Sequence, residues 1–374
     1  MNRIFIIAVA FVLLQCKNNT VKTSDKVAVN EVEYAKGFSI QHYNGVTKLA
    51  LYRAFIGDNS TSVFYLIPRN LPIPDSLSGQ KIIRTPVDKI VVTATSHIPM
   101  LEAIHAENSL VGFPQTSYIS SPKTVHRIEN GSVTELGNEQ AMNVELLLRL
   151  QPDAVVGFAV DHPSKMYEGI ERMGIPVLMN ADWLEETPLG RAEWIKFFGA
   201  LYNKSEEADS LFQTIAQNYL SLKEKAQKSA SQPSVLSGSM FQNVWYTPAG
   251  ESFLAQMLED AHARYLWADT EGNGSLSLSF ESVLLKAKSA DYWIAPGDFL
   301  HPSDFTDLQP LYGQFEALAK GNTYTYAHLK NKNGGFLYLE VAPLHPDWVL
   351  EDFTQILHPE LSESKPLHFF KRVE

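Results

Sequence analysis

The sequence has little cysteine and no excess of basic residues. Cys16 is the single cysteine, and 31 lysines and arginines face 42 acidic residues, for a formal net charge of −11. One cysteine cannot form an internal disulfide, so packing must hold the fold together. Nucleic-acid binding needs a basic stripe, which the sequence lacks, so that class of function is excluded. The apolar run at residues 4–14 is too short to cross a bilayer.

Enzyme signatures are also missing. The sequence contains no P-loop, no nucleophile elbow and no zinc helix with paired histidines. Gly272-Asn273-Gly274 has the start of a dinucleotide loop, but it lacks the third glycine and a preceding strand. We interpret it as a surface turn.

The N-terminus has the pattern of a secretory signal. Arg3 precedes the apolar run, and Cys16 follows it directly after Leu13-Leu14-Gln15. This pattern predicts a signal peptide at residues 1–15 and a lipid anchor on Cys16, with residues 16–36 as the tether. Gln15 stands where a small residue is usual, so a cleaved peptide without lipid remains the alternative. Both interpretations predict a periplasmic or cell-envelope protein.

The length of the chain, 374 residues, and the pattern after the tether predict an α/β protein with two lobes. Residues 37–88 alternate like strands and form a predicted β extension. Strand and helix patterns then alternate in residues 89–186 and again in residues 231–374, which indicates a parallel sheet in each lobe. Residues 187–230 begin with Thr187 and Pro188, a helix cap and a first-turn proline, and predict a long interlobe helix.

One unit recurs in the two halves. NVELLLRLQPDAVVGF at residues 143–158 and SFESVLLKAKSADYWI at residues 279–294 each place a glutamate at a helix start, an aspartate after the helix and an apolar strand behind it. The helix dipole alone explains a carboxylate at either position. Because Glu145 and Glu281 repeat in both lobes, we also expect a pair of exposed carboxylates able to meet arginines on a two-fold symmetric partner.

Several aromatic residues fall between the predicted elements rather than on periodic core faces. Tryptophan and tyrosine in a cleft suit a large flat chelate, since their rings cover its faces and their polar tips form hydrogen bonds. The alternative for any one of them is that it anchors a loop to the core. The residues are Tyr118, Phe158, Trp183, Trp245, Tyr246 and Trp267.

The histidines are scattered, and no two lie at the spacing that places both on one helix face. His97, His162 and His345 follow predicted strand ends, where open α/β sheets build their ligand crevices. A site for a free metal ion made of these three histidines therefore stays open as an alternative. We expect no resident cofactor or metal.

With these motifs, the chain resembles the class III periplasmic binding proteins, which serve ABC importers of cobalamin, haem and ferric siderophores. The resemblance covers residues 89–359 and is most specific in KIVVTATSHIPMLEAI, in PLGRAEWIKFFGALY and in the two repeated units. It implies two small lobes on a rigid helix, and a lipid-tethered protein that carries a chelate to a permease dimer. Glu145 and Glu281 would dock on permease arginines, although the spacing behind Glu281 is about two residues longer.

The resemblance also implies which residues face the ligand. These are Ser96, His97, Tyr118, Phe158, Trp183, Trp245, Tyr246 and His345. An enzyme or chelatase on the same two-lobed scaffold is the alternative from another functional class, because a fold does not fix a function.

Overall fold

The computed structural model describes residues 30–138, 141–160, 165–363 and 365–374. The predicted signal peptide, Cys16, most of the tether and His162 lie outside these residues. No helix within the described ranges is long and apolar enough to cross a membrane.

The chain begins with a four-stranded sheet, the β extension. Its first three strands form an antiparallel meander, and the fourth pairs parallel to the third. In order across the sheet they are Phe38–Tyr43, Val46–Tyr52, Thr61–Pro68 and Ile82–Thr85.

Each lobe is built on a five-stranded sheet. The N-terminal lobe's sheet is parallel throughout, in the order Val177–Met179, Ala154–Gly157, Ile90–Val92, Leu110–Phe113, Thr134–Glu135. The C-terminal lobe's sheet is parallel except at its last edge, in the order Arg264–Tyr265, Ser234–Ser237, Tyr292–Ile294, Thr323–Thr325, Lys371–Arg372. The predicted fold class is confirmed.

Smaller sheets and helices complete the lobes. Ser239–Phe241, Val244–Pro248 and Ser275–Leu278 form an antiparallel sheet, and Gly137–Asn138 pairs with Ala141–Met142. The lobe helices are His97–Ala103, Pro122–Glu129, Val144–Leu150, Lys165–Arg172, Phe253–Asp260, Phe280–Ala287, Pro302–Leu308, Glu316–Ala319, Leu337–Val341 and Pro346–Leu357.

The predicted interlobe helix consists of three helices. They are Pro188–Ala192, Ile195–Leu201 and Ser205–Ala226. The first begins as expected, with the Thr187 hydroxyl accepting a hydrogen bond from the Gly190 N–H at 3.0 Å. The longest buries Phe212, Ile215 and Tyr219 at helical spacing and packs against the helix Pro346–Leu357 of the second lobe.

The β extension is fixed to the interlobe helices by one buried carboxylate. Glu193 is fully buried and accepts hydrogen bonds from the backbone N–H groups of Glu33, Tyr34 and Ala35 at 2.9, 2.6 and 2.8 Å. Lys196, itself 6% exposed, balances its charge at 3.1 Å. A buried charge is tolerated only with such partners, so this cluster fixes where the chain enters the fold.

The extension also shares the core of the molecule. Phe38, Leu49 and Phe64 belong to the same hydrophobic cluster as buried residues of both lobes. Phe38 packs its ring 4.6 Å from that of Trp194, next to the interlobe helices. The extension therefore braces the first lobe and is not a separate domain on a linker.

Candidate functional site: an interlobe cleft and two exposed carboxylates

The repeated unit forms the same local structure in both lobes. Asn143 and Ser279 cap their helices, accepting hydrogen bonds from the N–H groups of Leu146 and Ser282 at 3.0 and 3.2 Å. Glu145 and Glu281 consequently occupy the same position, two residues after the cap. The longer spacing in the second lobe comes after the glutamate, partly because the helix Phe280–Ala287 has 8 residues against 7 in Val144–Leu150, and it leaves the position of the glutamate unchanged.

The two aspartates of the repeat also have matching roles. The Asp153 carboxylate accepts hydrogen bonds from the N–H groups of Asp88 and Lys89 at 2.8 and 3.1 Å, just before the strand Ile90–Val92. Asp291 accepts one from the Ser234 N–H at 2.8 Å, at the start of the neighbouring strand. Each aspartate thus ties its own strand to the adjacent one. Duplication of the unit is a property of the fold as well as of the sequence.

Both glutamates point to solvent. The Glu145 side chain is 76% exposed and pairs with Arg149 on its own helix at 2.5 Å. Glu281 is exposed and has no ion-pair partner among the described residues. An exposed pair within one helix contributes little to stability, so Glu145 can exchange Arg149 for a partner's arginine at small cost.

A cleft of about 440 Å³ lies between the lobes. Three of its wall segments, at Thr93, Pro114 and Phe158, directly follow strands of the N-terminal sheet. The carboxyl ends of parallel strands are where open α/β sheets bind ligands. The second lobe contributes Gly334, Gly335, Phe336 and Leu339.

Four of the predicted ligand residues line this cleft. They are Ser96, Tyr118, Phe158 and Trp183. Tyr118 is 42% exposed, and the rings of Phe158 and Trp183 contact each other with centroids 6.0 Å apart. The Trp183 indole N–H donates to the Ala159 carbonyl at 3.1 Å. The cleft thus presents aromatic surfaces in fixed positions.

Two other predicted ligand residues, Trp245 and Tyr246, lie outside the cleft lining, and their assignment to it is wrong. Trp267, 5% exposed, is also outside it. Trp245 is fully buried and stacks on Trp293 with centroids 5.5 Å apart. Tyr246 next to it is exposed but lies outside the cleft lining. Successive residues of a strand point to opposite faces, and Val244–Pro248 is a strand. Only one of the pair could therefore have faced a ligand.

His97 and His345 likewise do not reach the cleft. His97 is fully buried against the ring of Phe198, and this burial lowers its pKa to about 4 despite the nearby Asp182 carboxylate. His345 stacks on Trp348 at 3.7 Å at the start of the helix Pro346–Leu357. No group of three histidine, cysteine or acidic side chains within the described ranges has the arrangement of a metal site.

Other residues of the cleft were not singled out from the sequence. Asp182 and Arg191 are the charged side chains among the described residues that line it. Arg191 belongs to the PLGRAEW motif. Its place in the first helix after the N-terminal lobe could have indicated that it lies near the cleft. Gly334 and Gly335 are adjacent in the sequence, and such a glycine pair often marks a place where another backbone segment comes close.

A segment of the second lobe, residues 331–340, crosses to the first lobe beside the cleft; we call it the bridging segment. Asn331 donates from Nδ2 to the carbonyls of Ser117 and Ile119, each at 3.1 Å. Glu340 accepts from the N–H groups of Ser120 and Ser121 at 2.7 and 2.9 Å. The bridging segment thereby holds the loop that carries Tyr118.

Glu340 makes this contact pH-dependent. It is 1% exposed, and burial raises its pKa to about 7, with the Glu102 charge adding to the effect and the two N–H groups opposing it. Because its pKa is higher in the folded state than the ordinary 4.5, the protonated carboxyl stabilises the folded state. This contribution to the free energy of unfolding is complete below pH 4.5 and is lost as pH rises through 7.

We expect Glu340→Gln to remove this pH dependence. Between pH 4.5 and 8 the wild-type free energy of unfolding should fall by about 3 kcal/mol relative to the variant. Denaturant unfolding across this range measures the difference. Exposed Glu168→Gln is the control and should follow the wild type. Parallel pH curves for wild type and Glu340→Gln would show that the carboxyl does not titrate differently on folding.

A larger cavity of about 720 Å³ lies between the β extension and the second lobe. Glu186, Glu251 and Glu259 line it, with Arg53 as a positive charge. In its described lining, Arg53 follows a strand of the β extension, but no residue directly follows a parallel strand of either lobe, and Phe55 is the single aromatic residue. The smaller interlobe cleft is therefore the candidate ligand site.

Two parallel-sheet lobes around a cleft define a binding-protein fold, and comparison with known proteins gives the family. Residues 90–328 match the family model for periplasmic binding proteins. The chain belongs to this family, in its class III group.

Individual relatives and structures agree with this assignment. An uncharacterized lipoprotein of Methanocaldococcus jannaschii is 26% identical, covering 94% of this chain and 89% of the relative. The vitamin B12 binding protein BtuF of Vibrio cholerae superimposes with a TM-score of 0.54 at 14% identity, over 75% of this chain and 100% of that one. The haem-binding protein HutB of Vibrio cholerae gives 0.55 at 17% identity, over 70% and 99%.

Proposed function

We propose that the protein is the substrate-binding component of an ABC importer, which captures a metal chelate and delivers it to a permease without catalysis. The observation that carries the proposal is the cleft at the carboxyl ends of the N-terminal strands, with Tyr118, Phe158 and Trp183 in its wall. Aromatic rings in a cleft of this size suit a flat, largely apolar ligand.

The family supports the same ligand class. Proteins of similar fold bind vitamin B12 and haem, and another belongs to an Fe3+-hydroxamate transport system. Family membership and relatives named as lipoproteins support a location outside the cytoplasm. On this proposal, Cys16 carries the lipid that holds the protein at the membrane, within reach of its permease.

A shared core supports delivery with little change of shape. One hydrophobic cluster continues through both lobes and the interlobe helices, and the bridging segment fixes the cleft wall from the second lobe. Packed interiors resist continuous deformation. We expect the lobes to close only slightly on the ligand, leaving Glu145 and Glu281 in a nearly constant arrangement for the permease.

An absorbance titration with three chelates tests the proposal. Cyanocobalamin, haemin and a ferric tris-catecholate each have strong visible bands that change on binding. We expect saturable binding of at least one, with a Kd of roughly 1 μM or below, and an unchanged absorbance spectrum on prolonged incubation. Binding of none of the three would overturn the proposal, and slow conversion of the chelate would favour an enzyme or chelatase.

A further inference from the structure

Arg191 stands out in the cleft because its guanidinium has no hydrogen-bond or ion-pair partner among the described residues. Its side chain makes no hydrogen bond or ion pair with any other described residue, and its Nε atom is buried without a partner. The buried Nε of Arg127 also has no partner, but the other two nitrogens of that guanidinium are bonded, to Asn108 and to the Leu110 carbonyl.

The position of Arg191 is well defined even so. It lies on the short helix Pro188–Ala192, and its Cζ atom sits 4.7 Å from the centre of the Phe253 ring on the second lobe. Stacking on an aromatic ring orients a guanidinium without using its N–H donors. The donors therefore remain free at a fixed place in the interlobe cleft.

A half-buried cation without a partner is unfavourable, because it has lost water and gained no hydrogen bond. Such a group calls for a partner that arrives with the ligand. Anionic oxygens match the planar fork of arginine best and form short, charge-assisted hydrogen bonds with it. Asp182, the other charged residue of the lining, is 1% exposed and offers a ligand almost no surface.

We propose that Arg191 is the anion anchor of the cleft and that the chelate presents anionic oxygens, either carboxylate or catecholate, to its guanidinium. This inference rests on the proposed function and narrows its ligand class. A chelate that presents uncharged amides to Arg191 cannot neutralise it and should bind more weakly than an anionic one. Cyanocobalamin is the probe of this kind, because its corrin ring carries amides and its single phosphodiester lies on the nucleotide loop, away from the ring edge.

The test compares the binding affinities of three chelates for four proteins. The chelates are haemin, whose anionic groups are carboxylates, a ferric tris-catecholate, and cyanocobalamin. The proteins are the wild type, Arg191→Gln, Arg191→Lys and the control Arg172→Gln, whose side chain is on an exposed helix outside the cleft. We expect at least one anionic chelate to bind the wild type roughly 10-fold or more tighter than cyanocobalamin. The tighter of the two anionic probes identifies the source of the oxygens.

Arg191→Gln should lower the affinity for that anionic chelate roughly 10- to 100-fold, and the affinity of Arg191→Lys should lie between those of Arg191→Gln and the wild type. Cyanocobalamin binding should be nearly unchanged. The thermal midpoint of Arg191→Gln should fall little, since the guanidinium loses only its stacking on Phe253 and no hydrogen bond or ion pair with a described residue. A merely structural role is thereby separated from ligand recognition.

Equal binding of the anionic chelate by wild type and Arg191→Gln, or a wild-type preference for cyanocobalamin, would overturn this inference and leave the proposed function standing. A lower thermal midpoint together with equal weakening for all three probes would also overturn it, as a structural effect. Failure of every probe to bind the wild type would overturn the proposed function itself.

Discussion

Replacing both Glu145 and Glu281 with alanine is expected to abolish transport and leave chelate affinity unchanged. The two carboxylates are exposed at the same helical position in their lobes and lie outside the cleft lining. Neither supports the core, so the loss should fall on docking to the permease. Uptake of labelled chelate by cells, with a parallel titration of the purified variant, measures both quantities.

The matched control replaces two other exposed acids, Glu206 and Glu271, with alanine. This removes the same net charge from both halves of the chain, so a general effect of charge would appear equally in the control. We expect the control to transport normally. Each single variant should be impaired less than the double one, because the other lobe still docks. Normal uptake by the double variant would contradict the docking role.

The second large effect is expected from Gly335→Ala. A Cβ atom at this position would lie 2.0 Å from the Tyr118 carbonyl oxygen and 2.7 Å from the carbon of that carbonyl. Both atoms belong to the backbone and cannot rotate away, so the bridging segment must separate from the loop it holds. We expect chelate affinity to fall roughly 10-fold or more.

Gly274→Ala serves as the control for Gly335→Ala, because a Cβ atom there meets nothing within 4 Å. It should bind the chelate as the wild type does. Small-angle scattering of the ligand-free proteins adds an independent measurement, since separated lobes enlarge the radius of gyration. Unchanged affinity and size in Gly335→Ala would show that the contact with the Tyr118 loop does not shape the cleft.

The features that sequence predicted well are local ones. Helix caps at Asn143 and Ser279 depend on residues within one turn, and the pattern of strands and helices behind them is equally local. The parallel sheets follow from that alternation. This is why the fold class could be predicted from the alternation of strands and helices, and the matching positions of Glu145 and Glu281 from the repeated unit.

The residues of the cleft could be predicted only in part. Tyr118, Phe158 and Trp183 follow strand ends or lie in loops, and the structure places them in the lining. The prediction that Trp245 faces the ligand was wrong. The alternation along a strand shows that neighbouring residues face opposite sides, but it does not show which side is the core. The large ring fits the aromatic cluster around Trp293, and only the tertiary structure shows that cluster.

Long-range pairing explains the other differences. Arg191 was not singled out from the sequence, because an unpaired side chain can be recognised only once all its neighbours are in place. The role of the β extension depends on Glu193, more than 150 residues from the backbone groups that it binds. Sequence periodicity carries no information on contacts over such distances.

Recovery of the bound ligand tests the central claim most directly. The wild-type protein is saturated with the chelate that binds best in the titration, freed of excess ligand and denatured, and the released compound is identified by mass spectrometry with its metal content. The account predicts one intact chelate per chain, with its metal still coordinated. A released free metal ion, or a chemically altered chelate, would contradict a binding protein and favour a metal-binding site or an enzyme.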